Sequence, residues 1–184
     1  MTIASSSTHL KTYDVDPVHT FIGFAVRYLA ISKVQGRFKR FGGMLEIDWD
    51  DLVRSYAHLR IETDSIDTGS PERDAHLRSP DFLDVERFPE MLFRSTEIVR
   101  MSGAVFDVSG RLLLHGIERH VRLAVDYGGR ASDPNGIERA GLLARGTIDR
   151  REFGLGWNRS LDGGAVLVGH DVELDLAMQG VRRK

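Results

Sequence analysis

Residues 68–95, TGSPERDAHLRSPDFLDVERFPEMLFRS, differ from the rest of the chain, which alternates between apolar and polar residues as β-strands do. Ser70 followed by Pro71 is typical of a helix N-cap and a first helical residue. The helix is predicted to end at Ser79, because a residue that precedes a proline avoids the helical conformation. Residues 81–89 are too apolar for a solvated loop. We therefore expect a short helix and a packed loop that together cover one end of a β-barrel.

The alternation is clear in HVRLAVDY at residues 120–127 and in DVELDLAM at residues 171–178. About eight or nine such segments with short links favour an antiparallel sheet. A sheet of this many strands usually closes, which removes its exposed edges. Residues 28–32 are expected to form a helical turn, and residues 128–136 a polar loop. The predicted fold is all-β, an extended eight-stranded antiparallel barrel with one short helix and an end-covering loop.

Length and composition limit the classes of protein. The 184 residues fit one domain, which we place at residues 11–184 after a flexible arm of residues 1–10. The formal charge is −2, from 25 basic and 27 acidic residues, which argues against nucleic-acid binding. There is no cysteine, so disulfides and cysteine metal sites are excluded.

Neither a membrane span nor a secretory signal is evident. No run approaches the ~20 apolar residues that cross a bilayer, and residues 1–13 lack the apolar core of a secretory signal. We therefore expect no stable membrane insertion and a cytoplasmic location.

The interior of an eight-stranded barrel can hold one small ligand or be filled by its own side chains. Several positions that the alternation places inside are small, and small residues leave volume unless large neighbours fill it. These positions are Gly43, Ala57, Gly110, Ala140, Ala144 and Gly146. The pattern favours a ligand cavity, with a filled barrel as the alternative.

Four stretches, in order along nearly the whole chain, resemble the YceI-like family. They are DVDPVHTFIGFAV at 14–26, the segment 66–95, VSGRLLLHGIERHVRLAV at 108–125 and GTIDRREFGLGWN at 146–158. The Arg-Asp-x-His-Leu run at 73–77 with the following Asp-Phe and Phe-Pro pairs is the most specific part. The resemblance implies a lipocalin-like barrel with an apolar tunnel that binds a polyisoprenoid or another long amphipathic lipid. It also makes a homodimer plausible, and many members of the family are periplasmic.

An apolar tunnel would hold a prenyl chain through buried area alone, since such a chain has no hydrogen-bonding groups. The alternative for each lining residue is an ordinary place in the core. The candidate lining residues are Phe24, Val26, Phe38, Phe41, Leu45, Leu59, Phe82, Phe93, Leu112, Leu114, Leu142, Ala144, Ile148 and Phe153. A tryptophan in place of Ala144 is expected to block the tunnel.

Charged residues on and near the predicted helix are candidates for a head-group site at one end of the tunnel. The candidates are Asp16, His19, Arg73, Asp74 and His76. The alternative is a structural network that ties the helix to Asp16 and His19. Arg150 and Arg151 could also face an anionic head group, although a surface pair at a strand end is the simpler interpretation.

The sequence therefore predicts a non-enzymatic lipid-binding barrel that carries or sequesters an isoprenoid, such as a quinone or a polyprenyl phosphate. No cofactor, metal or catalytic residue is predicted, because H-E-x-x-H and G-x-S-x-G motifs are both absent. One alternative is an enzyme for a hydrophobic isoprenoid that uses His19, Asp74 and His76. Others are a filled barrel that serves as an interaction module, and a metal site formed by His19 and His76 together.

Overall fold

The computed structural model describes residues 10–160 and 166–183. Within these ranges the chain forms eleven strands and one α-helix. Their bounds are β1 Leu10–Val15, β2 Phe21–Tyr28, β3 Ser32–Phe38, β4 Phe41–Asp48, β5 Tyr56–Glu62, β6 Ile66–Asp67, α1 Pro71–Arg78, β7 Glu90–Ser102, β8 Val105–Leu114, β9 Ile117–Ser132, β10 Glu138–Asp149 and β11 Val168–Arg182. Leu10, the last residue of the expected flexible arm, begins β1, and residues 1–9 lie outside the described residues.

These strands form a closed antiparallel barrel with eight strand positions, because three of the positions are held by broken strands. β1 and β2 both pair with β11, at residues 180–182 and 168–177 respectively, and so form one strand interrupted after Val15. β3 and β4 form the second broken strand, because β4 pairs with β1 and β5 while β3 pairs with β2 and β6. β5 and β6, on the far side of β4 and β3, form the third. β7 to β11 then follow as a meander, and β11 closes the barrel against β1. The predicted all-β, eight-stranded barrel is confirmed.

The two ends of the barrel differ in how they are covered. The helix end carries the β2–β3 turn, α1 with its following loop, the β8–β9 turn and the connection from β10 to β11. The opposite end carries the β4–β5 connection with a 3-10 helix at Leu52–Arg54, together with the β7–β8 and β9–β10 turns. Most of the non-strand chain among the described residues therefore lies at the helix end.

The helix α1 forms where the sequence places it. Ser70 caps it, Pro71 is its first residue, and it ends before Ser79, whose N–H donates to the carbonyl of His76. The Arg78 guanidinium donates to the backbone carbonyls of Asp64 and Ile66 at 2.7 Å each, which ties the last turn to β6. The helix is thus held across the end of the barrel, and the predicted cover is confirmed.

Two local predictions are wrong. Residues 29–31 form a tight hairpin turn, with Leu29 and Ala30 in the left-handed region at φ 53° and 59°, instead of a helical turn. Turns with this geometry usually contain asparagine or glycine, so Leu29 and Ala30 gave no indication of it in the sequence. Residues 128–132 extend β9, and the polar turn is limited to residues 133–137. This part of β9 is largely exposed, so its sequence does not alternate between apolar and polar residues as a half-buried strand does.

Candidate functional site

An apolar cavity of about 460 Å³ lies at the helix end, between α1 and the barrel interior. This volume is within the range of small-molecule sites. The barrel wall contributes Phe24, Val26, Val34, Phe38, Ile66, Met91, Leu114, Ile148, Val172 and Leu174. The cover contributes Leu77, Phe82 and Leu83 from the helical segment and Leu155, Trp157 and Leu167 from the β10–β11 connection. We call this space the helix-end cavity.

A second cavity, of about 100 Å³, lies in the opposite half of the barrel. Its lining includes Leu45, Leu59, Phe106, Leu142 and Ala144. We call it the far cavity. It is much smaller than the helix-end cavity.

A layer of side chains separates the two cavities. The Phe93 ring covers Gly110, with ring atoms 2.3 and 2.5 Å from the point where a Cβ would sit, and Leu123 covers Gly146 in the same way at 2.7 Å. Ile22, Leu112 and Val121 are buried between the two linings and belong to neither. We call Ile22, Phe93, Leu112, Val121 and Leu123 the dividing layer. The barrel is therefore filled by its own side chains at the dividing layer, while its helix-end half holds a cavity.

The predicted lining residues fall into three groups. Phe24, Val26, Phe38, Phe82, Leu114 and Ile148 line the helix-end cavity. Leu45, Leu59, Phe93, Leu142 and Ala144 line the far cavity. Phe41, Leu112 and Phe153 line neither, since Leu112 is in the dividing layer and Phe153 is fully buried beside His115. Contact of any of these residues with a lipid stays a prediction.

Several lining residues were missed in the sequence. Val172 and Leu174 belong to an apolar face that the alternation identifies, and this signal could have placed them in the lining. Trp157 and Leu155 come from a glycine-rich connection, where no periodic pattern shows which side chains turn inward.

Arg73 and His76 are the helical polar residues that reach the helix-end cavity. Arg73 donates through Nε to the Thr68 hydroxyl at 2.8 Å and through Nη2 to the Thr68 carbonyl at 2.9 Å. His76 Nε2 lies 2.9 Å from Asp81 Oδ2, and its ring meets Trp157 edge to face at 4.8 Å. Thr68 and Asp81, which are close to them in the chain, hold the two side chains in place at the cover of the cavity.

Asp74 does not face the cavity. Its buried carboxylate accepts hydrogen bonds from the backbone N–H of Thr68 at 2.9 Å and from the Thr68 hydroxyl at 2.6 Å. It therefore anchors the start of the helix to the preceding segment.

Asp16 and His19 lie at the break between β1 and β2, away from the helix. Asp16 N–H donates to the carbonyl of Gln179 in β11. Gln179 is five residues from Leu174, which lines the helix-end cavity, so Asp16 lies about 17 Å along the strand from that cavity. Asp16 Oδ2 lies 2.8 Å from His19 Nδ1 and accepts a hydrogen bond from Arg139 at 2.6 Å. The five residues expected at one polar end are thus divided, and the network expected to tie the helix to Asp16 and His19 is not formed.

Asp16 is expected to stabilise the fold in a pH-dependent way. Burial alone would raise its pKa, but hydrogen bonds from His19, from the Val18 N–H and from Arg139 outweigh this effect and lower the pKa of Asp16 to about 2. A lowered pKa stabilises the folded state above the ordinary pKa near 4, and the effect is lost as the pH falls towards 2. Asp16→Asn should therefore lower the free energy of unfolding by roughly 1–2 kcal/mol at pH 7.

Urea unfolding of both proteins between pH 2 and pH 7 measures this difference. The free energies of unfolding of the wild type and of Asp16→Asn should converge as the pH falls from 4 towards 2. A difference that stays constant over the whole range would show that the carboxylate charge of Asp16 is not the cause.

Arg150 is buried although its neighbour Arg151 is exposed. Its guanidinium donates to the backbone carbonyls of Leu155 and Trp157 in the β10–β11 connection, and to those of Val168 and Gly169 at the start of β11. Burial lowers the pKa of Arg150, but an arginine stays charged. The interpretation of residues 150 and 151 as a surface pair is wrong for Arg150, which lines the helix-end cavity.

The helix-end cavity has a positive bias. Arg27, Arg73 and Arg150 line it, and none of the three has a carboxylate partner within residues 10–160 and 166–183. No Asp or Glu is among the described residues of its lining. The arrangement combines an apolar interior with basic groups, which suits an amphipathic molecule.

Other kinds of site have no counterpart in the described ranges. None of the helices there is long and apolar enough to cross a bilayer. In the same ranges no three His, Asp or Glu side chains group as metal ligands, and His19 and His76 have separate partners.

A family model described as the YceI-like domain matches residues 13–180. The chain belongs to the YceI-like family. A UPF0312 protein from Pectobacterium atrosepticum is 38% identical over 172 residues, which cover 94% of this chain and 86% of that protein. Protein YceI from Salmonella newport is 36% identical over 171 residues, which cover 93% and 86%.

Solved structures share the YceI-like barrel at lower identity. BcnA from Burkholderia cenocepacia superposes with a TM-score of 0.79 at 19% identity, over 90% of this chain and 98% of that one. A polyisoprenoid binding domain from Saccharophagus degradans, implicated in plant cell wall breakdown, superposes with a TM-score of 0.69 at 17% identity, over 95% and 100%. These likenesses show the fold.

Proposed function

We propose that this YceI-like protein binds a polyisoprenoid or a similar amphipathic lipid in the helix-end cavity, and carries or sequesters it. The observation that carries the proposal is the cavity itself, which is apolar along the barrel wall and basic around its cover. The name of the Saccharophagus degradans domain, which has the same fold, supports this choice of ligand class.

The lining fits a prenyl tail. Burial of apolar carbon contributes about 0.8 kcal/mol per CH₂, so a tail that fills the cavity binds tightly even after the costs of association. The head group would lie at the cover near Arg73, His76 and Arg150, where a quinone oxygen or a phosphate can accept hydrogen bonds. A tail inside and a head group at the cover make one orientation of the lipid favourable.

We expect a lipid to enter the cavity at its cover. Phe82, His76 and Trp157 meet in aromatic contacts with ring centroids 4.8–5.1 Å apart, which join the helical segment to the β10–β11 connection. Separating these two segments opens the cavity without breaking the strand pairs of the barrel. Tyr28 lies in the lining beside the exposed β2–β3 turn, at the same edge.

The proposal is for a binding protein, and the positions of the polar residues support it over an enzyme. The catalytic alternative needs His19, Asp74 and His76 together. Asp74 instead bonds to Thr68, and His19 lies at the β1–β2 break. A cytoplasmic location and a homodimer stay predictions.

Native mass spectrometry of the freshly purified protein, followed by solvent extraction, tests the proposed function. We expect a discrete adduct that extraction releases as an intact lipid, and His76→Ala should still carry that lipid. A bare protein that also fails to bind added farnesol, geranylgeraniol and short-chain ubiquinone would contradict the proposal. Chemical conversion of the bound lipid that stops in His76→Ala would favour the enzyme.

A further inference from the structure

We infer that the β2–β3 turn and the chain just before β11 dock reversibly onto an anionic lipid bilayer, and that lipid passes there between the bilayer and the helix-end cavity. This inference rests on the proposed function and deepens it, because it names the surface through which the lipid is exchanged. The surface consists of Tyr28, Leu29, Ile31 and Val166, which we call the hairpin-tip patch.

The hairpin-tip patch is apolar and open to solvent. Ile31 is 85% exposed, while Tyr28, Leu29 and Val166 are each 37–38% exposed. Two segments bring these residues together, since Leu29 N–H donates to the carbonyl of Leu167 at 2.9 Å. Single exposed apolar residues are common on protein surfaces, but a group of them on adjoining segments, bordered by polar residues, is typical of an interaction site.

The turn is built from residues that its backbone does not favour. Ile31 N–H donates to the carbonyl of Tyr28 at 3.2 Å, which closes a turn with Leu29 and Ala30 at φ 53° and 59°. Such turns normally take asparagine, aspartate or glycine, because a β-carbon makes the left-handed conformation unfavourable. Leucine does not stabilise this turn, so a contact made by its side chain accounts for its presence better than the fold does.

Basic residues border the hairpin-tip patch. Arg27 precedes it on β2 and Lys33 follows it on β3. The carbonyl of Arg159 accepts a hydrogen bond from Leu167 N–H at 3.0 Å, which places Arg159 beside the patch. All three side chains are exposed; Lys33 pairs with Glu173, and neither arginine has a carboxylate partner in the described part of the chain. Exposed apolar residues with a basic border complement an anionic lipid surface.

The patch also adjoins the helix-end cavity. Tyr28 belongs to both, because it lines the cavity and is 37% exposed. Arg27, Leu167 and Val168, which flank the turn, line the cavity as well. A bilayer in contact with the patch therefore lies beside the cover where we expect the lipid to enter, so an apolar tail can pass between them with little exposure to water.

The size of the patch favours a bilayer over a protein partner. Its four residues are far fewer than the 20–30 that each partner contributes to a stable protein interface of roughly 800 Å² per side. Weak, reversible membrane binding needs only a small buried apolar area together with attraction to anionic lipids. Docking of this kind is peripheral and agrees with the expectation of no stable membrane insertion.

Co-sedimentation of the full-length protein with vesicles measures docking. We expect binding to vesicles of phosphatidylcholine with phosphatidylglycerol, and weaker binding to phosphatidylcholine alone or at high salt. Leu29→Asn combined with Ile31→Ser should weaken the binding roughly tenfold or more, because it removes most of the apolar tip. The fold should be kept, since asparagine tolerates the left-handed turn. Transfer of short-chain ubiquinone from the vesicles, followed by native mass spectrometry, should slow in the same variant.

Met101→Ser is the matched control, because Met101 is a 64% exposed apolar residue beside the β7–β8 turn at the opposite end of the barrel. This variant should bind vesicles as the wild type does. Farnesol binding without vesicles should be equal in the wild type and in both variants, since none of the changed residues lines the helix-end cavity.

The outcomes separate the two proposals. A wild type that ignores the anionic vesicles, a double variant that binds them equally well, or a loss confined to Met101→Ser would overturn the docking surface and leave the proposed function standing. A double variant that changes only the oligomeric state in sedimentation velocity would also overturn it and assign the patch to a second copy of the chain. If neither farnesol nor short-chain ubiquinone binds the wild type, the proposed function itself fails.

Discussion

Replacing Val172 with tryptophan is expected to weaken lipid binding about a hundredfold while the barrel stays folded. Val172 is half-buried in β11, pairs with Val26 and Ile148 on the adjacent strands, and lines the helix-end cavity. The added ring takes the place of roughly three or four carbons of the ligand, which is about 3 kcal/mol or a hundredfold in affinity. The cavity of about 460 Å³ accepts the ring without overpacking, so the loss of stability should be small.

Ala144→Trp is the matched control, and the structure reverses what the sequence led us to expect of it. Ala144 is 2% exposed and lines the far cavity of about 100 Å³. A tryptophan there overpacks the core, which typically costs 1–3 kcal/mol, but leaves the helix-end cavity open. Dissociation constants and urea unfolding for both variants separate the two effects. Loss of binding in Ala144→Trp with full binding in Val172→Trp would place the lipid in the other half of the barrel.

The fold could be predicted from the sequence because its signals are local. In β11, Val172, Leu174, Leu176 and Met178 point inward and alternate with polar residues, and such a pattern needs only the chain itself. The helix α1 was equally clear from its Ser-Pro start. The break between β1 and β2 was harder, because it depends on how two strands share β11. The Leu-Ala turn was hidden because it lacks the asparagine or glycine that usually marks such a turn.

The position of the cavity could not be predicted in the same way. Small inward residues seemed to mark empty space, yet Gly110 lies under Phe93 and Gly146 under Leu123. The space instead lies at the helix end, among larger residues that the cover holds apart from the barrel wall. Which large side chain fills which gap depends on the register between neighbouring strands, and alternation along one strand does not report it.

The burial of Arg150 could not be predicted from the sequence either. In the sequence it stands beside Arg151 at a strand end and appears no more buried than its neighbour. In the structure its guanidinium donates to the carbonyls of Leu155, Trp157 and Gly169, which only the folded chain brings together.

Arg150→Met is therefore expected to be among the most destabilising single substitutions in this protein. It removes the donor from the carbonyls of Leu155, Trp157 and Gly169, in a site where the arginine is 4% exposed. Hydrogen bonds to a charged group contribute about 1.5–3 kcal/mol each and are not additive, so we expect a loss of roughly 3–5 kcal/mol in the free energy of unfolding. Methionine replaces the aliphatic part of the arginine side chain, so most of the lost stability comes from the guanidinium and its hydrogen bonds.

Arg151→Met is the control, because it removes the same charge one residue away. Arg151 is exposed and pairs with Asp149, and its hydrogen bond is the main reason that the pKa of Asp149 falls to about 2. Because an exposed ion pair contributes only about 0–1 kcal/mol, urea unfolding should show at most that change for this variant at pH 7. Hydrogen exchange should show faster exchange of the amides from residue 155 to residue 160 in Arg150→Met alone, since those amides belong to the connection that Arg150 holds. Equal stability of the two variants would mean that the buried guanidinium does not organise the cover of the cavity.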